Sequence, residues 1–227
     1  MRLGVLFSGG KDSAYAAWLA MQEHEVVCLI TLVSDNPASY MFHTPNIMWA
    51  GLQAEAAGLP LVTGHTKGVK EEELEDLKQV IIQAKRDYSL DGIVTGAVAS
   101  SYQATRIQKI CDDLDLDCLN PLWQVDQEEV VSGIIRAGFE VIVSAIAAEP
   151  LTVDWLGRRI DESFVSDLKK LDAKYGISLT GEGGEFESFV LDAPFFKKRL
   201  VVTDSERIMG GPNNGVLLVR SAELAEK

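Results

Sequence analysis

Ser8-Gly9-Gly10-Lys11-Asp12-Ser13 places two hydroxyls, two glycines, an ammonium and a carboxylate in six consecutive positions. The apolar run Leu3 to Phe7 precedes it and the helical pattern Ala14 to Met21 follows it. A glycine turn between a strand and a helix start is an anion site. The first N–H groups of the helix have no internal partner, and the helix dipole favours negative charge there. Gly9 and Gly10 allow close backbone approach to a phosphate, Ser8 and Ser13 offer hydroxyl donors, and Lys11 offers a compact cation. A Walker A loop is excluded because Asp12 stands where Ser or Thr must follow the lysine. The G-x-G-x-x-G spacing of dinucleotide sites does not occur in the chain.

Two further stretches carry chemistry-bearing residues. Gly96 to Arg106 ends a predicted strand with a glycine and opens a helix holding Tyr102, Gln103 and Arg106, with Tyr102 and Arg106 one turn apart. Gly181-Glu182-Gly183-Gly184-Glu185-Phe186-Glu187-Ser188 sets three carboxylates among three glycines. Such acids could hold a divalent cation with phosphates, bind a cationic group or take a proton; the alternative is a solvated acidic turn. A fourth candidate is the loop Ser34 to Pro45. There Met41 and Phe42 could flank a purine and His43 could bond to ribose or base, although Thr44-Pro45 equally reads as a helix cap beside His43.

These residues must be positioned by a regular frame. Strands are predicted at Leu3 to Phe7, Glu25 to Val33, Leu59 to Thr63, Asp91 to Ala97 and Asp117 to Leu122. Helices are predicted between them, at Ala14–Met21, Asn46–Ala57, Lys70–Tyr88 and from Tyr102 to about Leu114. Alternating strand and helix forces a parallel sheet with right-handed crossovers, here a doubly wound, five-stranded α/β sheet. Its first and fourth strands meet at the switch point, which puts Gly96 and Arg106 near the glycine loop. The acidic start of the third helix, Glu71-Glu72-Glu73, is expected to be solvated. After residue 124 the pattern changes. Helices at 127–137 and Glu162–Tyr175 mix with strands at Phe139–Ala148, Phe189–Phe196, Arg199–Met209 and Val216–Val219, with a turn at 210–215. The expected division is 1–124, a nucleotide-binding domain, and 125–227, a smaller α+β domain that binds substrate.

The chain has 227 residues and a net charge of −13, from 34 acidic and 21 basic residues. That balance argues against a broad nucleic-acid face, so no direct nucleic-acid partner is expected. The longest apolar run, Val141 to Ala148, is too short to span a bilayer, and no leader pattern precedes the first strand. A cytoplasmic protein is therefore expected. Cys28, Cys111 and Cys118 form no C-x-x-C pair, and no disulfide is expected.

The loop S-G-G-K-D-S resembles that of the ATP pyrophosphatases, the PP-loop enzymes, which cleave ATP between its α- and β-phosphates. Four more motifs follow in order: G-A-x-x-S-x-Y-Q-x-x-R, P-L-W, L-G-R-x-I-D and G-E-G-G-E-F-E. The whole series is similar to the diphthine–ammonia ligase family, over Leu3 to about Arg199. Ser101 and Gln108 stand where that pattern often has acids. The resemblance implies an adenine nucleotide alpha hydrolase-like (HUP-type) fold. It also implies ATP and Mg²⁺ as cofactors, ammonium as co-substrate and diphthine-bearing translation elongation factor 2 as partner. The implied reaction forms an acyl-adenylate, then an amide, releasing AMP and pyrophosphate. It assigns ATP binding to Ser8 through Ser13 with Met41, His43 and Gly96, and catalysis to Lys11, Asp12, Arg106 and Glu185. Substrate binding falls to Tyr102, Gln103, Glu182, Gly183, Gly184, Glu187 and Ser188, where carboxylates such as Glu185 and Glu187, with Tyr102, could hold the trimethylammonium of diphthine. Mg²⁺ would ride mainly on the phosphates, with Asp12 as the protein candidate. A homodimer stays open. The alternatives are a PP-loop enzyme that adenylates a tRNA base or a small carboxylic acid, and a non-catalytic nucleotide sensor.

Overall fold

The computed structural model describes residues 1–36, 45–69 and 71–227. Its first half is built from β1 (Arg2–Leu6), α1 (Lys11–Ala20), β2 (Glu25–Ser34), α2 (Ala50–Ala57), β3 (Leu61–Thr66), α3 (Glu72–Tyr88), β4 (Gly92–Val94), α4 (Ser101–Asp113) and β5 (Asp117–Leu119). The strands pair in the order β3-β2-β1-β4-β5, all parallel. The chain reverses direction across the sheet between β1 and β4, which opens a crevice at their C-terminal ends. The second half comprises α5 (Gln127–Arg136), β6 (Glu140–Ile146), α6 (Glu162–Tyr175), β7 (Phe186–Asp192), β8 (Lys198–Gly211) and β9 (Asn214–Glu226). Its four strands form an antiparallel sheet, ordered β7-β6-β9-β8.

Two apolar clusters sandwich the parallel sheet. On one face Leu77, Val80, Ile81 and Ala84 of α3 and Ile107, Ile110 and Cys111 of α4 pack on Ile30, Leu32 and Ile93. The other face is covered by α1 and α2 through alanines: Ala14, Ala16 and Ala17, then Ala50, Ala54 and Ala57. Small side chains keep these helices thin, so the same cluster runs on into Phe186, Phe189 and Val190 of β7, Ile134 of α5 and Phe164 of α6. One continuous core therefore joins the two sheets, and it holds β7 against α1.

Several local expectations are corrected. Asn46 does not start a helix. It is left-handed (φ 67°), its amide donates to the Leu217 carbonyl and its side-chain oxygen accepts the Val219 N–H, so a 3-10 turn at Ile47–Trp49 precedes α2. The strand β7 starts at Phe186, three residues before the expected Phe189, because Glu187 and Ser188 pair with Ala145 and Val143 of β6. The last strand reaches Glu226 rather than Val219, paired along β8, and the turn between them shrinks to Pro212-Asn213. The acidic start of the third helix is not simply solvated: Glu73 is buried and Glu71 is an ion-pair partner of Arg106.

Candidate active site

The crevice at the ends of β1 and β4 deepens into a cavity of about 430 Å³. Its walls come from both halves of the chain. Ser8, Lys11, Asp12 and Ser13 line it from the glycine loop, and Thr95, Gly96, Ser100 and Gln103 from the β4–α4 segment. Thr180, Glu182, Gly183, Gly184 and Glu187 close it from the second half. One end is apolar, formed by Leu6, Ile30, Leu32, Leu77 and Ile107.

The loop is held open by its own hydroxyls and by β7. Ser13 Oγ accepts from the Ser8 N–H at 3.2 Å and donates to the Gly10 carbonyl at 3.2 Å, so this hydroxyl, expected as a ligand donor, is engaged within the turn. Gly9 sits at φ +80°, a conformation that suits glycine, and a Cβ there would strike the Gln53 side chain. The Gly9 carbonyl accepts from the Val190 N–H (3.0 Å) and from Gln53 Nε2 (3.0 Å), and the same Nε2 donates to the Val190 carbonyl at 2.8 Å. Gln53 is fully buried and ties the loop to the second sheet. Sequence reasoning missed it. The available signal was a glutamine on the α2 face that also carries Ala50, Ala54 and Ala57.

Lys11 is buried between the halves. Its Nζ lies 2.8 Å from Asp12 Oδ2 and 2.5 Å from the Thr180 carbonyl, and its backbone N–H donates to Ser188 Oγ at 3.1 Å. Ser188, expected to meet substrate, is thus a cap on the first turn of α1. The partner of Oδ2, Asp12 Oδ1, is buried with no hydrogen-bond partner among the described residues. An acceptor left bare in a polar cavity suits a cation or a water. No group of three or more His, Cys, Asp or Glu side chains able to hold a metal occurs among the described residues. A divalent ion would therefore fit here as a companion of phosphates, with Asp12 as its protein contact.

Gly96 was expected to admit a ligand. It lines the cavity, but the space of its missing side chain is filled by the backbone of α1: a Cβ would lie 2.7 Å from the Ser13 nitrogen and 2.8 Å from the Asp12 carbonyl carbon. Its lack of a side chain sets the loop's position.

The three glutamates separate into three environments. Glu185 accepts from the Ser178 N–H at 3.0 Å and the Gly183 N–H at 2.8 Å, and it does not line the cavity. It braces the turn, so the structure places it beside the cavity rather than on its wall. Glu182 lines the cavity and accepts the Ala99 N–H at 3.1 Å; burial raises its pKa against that bond. Glu187 turns its exposed surface to the cavity, yet protein surrounds it closely, and this desolvation pushes its carboxyl up to about 7. Lys11 opposes the rise, and Asp12 and Glu182 add to it.

Of the α4 trio, the cavity receives Gln103 alone. Arg106 Nη2 bonds to Glu71 at 2.7 Å and its guanidinium covers the Tyr102 ring at 3.5 Å. Arg106 and Tyr102 are thus engaged with Glu71 and with each other, and neither lines the cavity where catalysis and capture of a trimethylammonium group were expected. Met41 and His43 lie outside the described residues.

Comparison with known proteins finds matches along both halves of the chain. Residues 1–118 match the model of the diphthamide synthase N-terminal domain, and residues 126–224 that of the diphthamide synthase C-terminal domain. The diphthine–ammonia ligase of Rattus norvegicus is 36% identical over 229 residues, covering 92% of this chain and 85% of the relative. That of Homo sapiens is 35% identical over 231 residues, with 92% and 85% covered. The Schizosaccharomyces pombe ligase is 35% identical over 223 residues, which cover 91% of this chain and 37% of the longer relative. Among solved structures, a predicted subunit of tRNA methyltransferase from Methanocaldococcus jannaschii aligns at 16% identity with a TM-score of 0.45, over 86% of this chain and 98% of the other. With both family models and the curated relatives spanning the two halves that build the cavity, the chain belongs to the diphthamide synthase family.

Proposed function

We propose that the chain is a diphthine–ammonia ligase: it uses ATP to convert the carboxylate of diphthine on translation elongation factor 2 into the amide, with ammonium as nitrogen donor. The observation that carries this reading is the single cavity in which a phosphate loop from one half meets Glu182 and Glu187 from the other. The triphosphate would lie along the N-terminus of α1, near Lys11 and the free N–H groups of the first turn. The apolar end suits the flat face of adenine. A carboxylate resists attack by ammonia until one oxygen becomes a good leaving group. Cleavage between the α- and β-phosphates would supply that as an acyl-adenylate. Mg²⁺, when bound, would neutralise phosphate charge. Lys11 does the same from the protein side, held in place by Asp12 and the Thr180 carbonyl.

Among the described residues no helix is long and apolar enough to cross a membrane. The reaction is assigned to the cytoplasm, where elongation factor 2 works. The reading is tested by incubating the protein with ATP, Mg²⁺, ammonium and diphthine-bearing elongation factor 2. The expected products are amide, AMP and pyrophosphate in equal amounts. Formation of ADP and phosphate, or amide formed without ATP, would count against it.

A further inference from the structure

We infer that Glu187 is the general base that takes the proton shed by the attacking nitrogen. This rests on the amidation reading. At neutral pH the nitrogen donor is mostly a cation without a lone pair, so a proton must leave it before it can attack. The cavity end that would receive this cation carries Asp12 and Lys11 from α1, Glu182 from the glycine turn and Glu187 from β7. Opposite Glu187 on β6 stands the uncharged Ala145.

Each other acid has a protein partner on at least one oxygen. Asp12 holds Lys11, Glu182 accepts the Ala99 N–H, and Glu185 is turned into the brace of its own loop. The Glu187 carboxylate makes no hydrogen bond or ion pair among the described residues. It adjoins Ser188, whose Oγ caps Lys11, so the base is fixed one residue from the group that positions the phosphate loop. No histidine lines the cavity among the described residues. Its desolvated carboxyl, at about 7, is matched to neutral pH: ionised often enough to act, and basic enough to accept.

The step balances as follows. Ammonium gives one proton to Glu187. The nitrogen lone pair forms the C–N bond to the activated carbonyl carbon. The C–O bond to the AMP phosphate breaks with its electron pair on AMP, and the second proton passes to water.

The test uses the full chain with diphthine-bearing elongation factor 2, comparing wild type with Glu187→Gln on ammonium and on hydroxylamine, a nucleophile that is largely neutral at pH 7. Wild-type kcat/KM for total ammonium should rise with pH to about 7 and then level, as Glu187 ionises. The variant should be slower by on the order of 100-fold at pH 7. Its rate should climb with free ammonia through pH 7 without levelling. On hydroxylamine it should stay within a few-fold of wild type. Its diphthine-dependent exchange of pyrophosphate into ATP, which precedes the nitrogen step, should fall far less than its amide formation.

Misfolding is not expected to blur the result. A carboxyl raised from its usual 4.5 to about 7 stabilises the fold when protonated, and that contribution is lost as pH rises through about 7. The glutamine variant should therefore be no less stable than wild type at pH 8. Equal losses on both nucleophiles, or a wild-type pH profile in the variant, would overturn the assignment. A wild-type protein that forms no amide at all would overturn the function itself, and the assignment with it.

Discussion

Lys11→Met is expected to lower diphthine-dependent pyrophosphate exchange into ATP by about 100- to 1,000-fold, the usual cost of removing one preorganised electrostatic donor. Methionine keeps the length of the stem and removes the charge. In the folded protein Lys11 Nζ has two jobs, because it bridges Asp12 Oδ2 and the Thr180 carbonyl across the cavity. Without it the Asp12 carboxylate faces incoming phosphates unneutralised, and Thr180, itself buried, loses the donor to its carbonyl. ATP affinity should fall along with the rate. Circular dichroism should report an intact fold, since the apolar core does not pass through Nζ. A variant within threefold of wild type in exchange would remove Lys11 from the chemistry.

Gly96→Ala should do comparable damage by a different route. The added methyl would meet backbone atoms of Asp12 and Ser13, at 2.7 to 2.9 Å, and backbone cannot swing aside as a side-chain tip can. The first turn of α1 must shift, and with it the N–H groups that face the phosphates. Overpacking of this kind costs about 1–3 kcal/mol. The informative comparison is Gly92→Ala at the start of β4, whose methyl would meet the Asp117 carbonyl oxygen at 2.8 Å, away from the cavity. Both variants should lower the denaturation midpoint. ATP affinity, measured by calorimetry, should drop at least tenfold in Gly96→Ala and stay near wild type in Gly92→Ala. Equal ATP affinities in the two would show that Gly96 does not set the loop.

The contrast between these residues and others shows what the sequence could disclose. The phosphate loop was legible because strand, turn and helix are contiguous, so its chemistry is local. The five-stranded parallel order followed from apolar runs alternating with helical patterns. Ser188 was singled out, but for the wrong task, because its partner is the Lys11 N–H, 177 residues away. Gln53 gave no local sign of the Gly9 and Val190 carbonyls it bridges. Three glutamates in one glycine-rich motif look alike in sequence. Their roles diverge only when the turn folds and directs Glu185 to Ser178 and Gly183 while leaving Glu187 on the cavity wall. Arg106 was placed by helical spacing at the switch point, and nothing local in the sequence marked Glu71, 35 residues earlier, as its ion-pair partner. The end of β9 was invisible for a further reason. From Arg220 onward β9 stays paired with β8, but only Ala222 and Leu224 pack on the core, opposite Val202 and Leu200, so the apolar alternation there is too brief to mark a strand.

The account depends on one coupling: the phosphate loop of the first half must act on a carboxylate delivered beside the glutamates of the second. Oxygen tracing tests it most directly. Diphthine labelled with ¹⁸O in its carboxylate, presented on elongation factor 2 with ATP and ammonium, should transfer one labelled oxygen to AMP for each amide formed. Label recovered in inorganic phosphate, or AMP released without label, would contradict activation of the carboxylate at this loop.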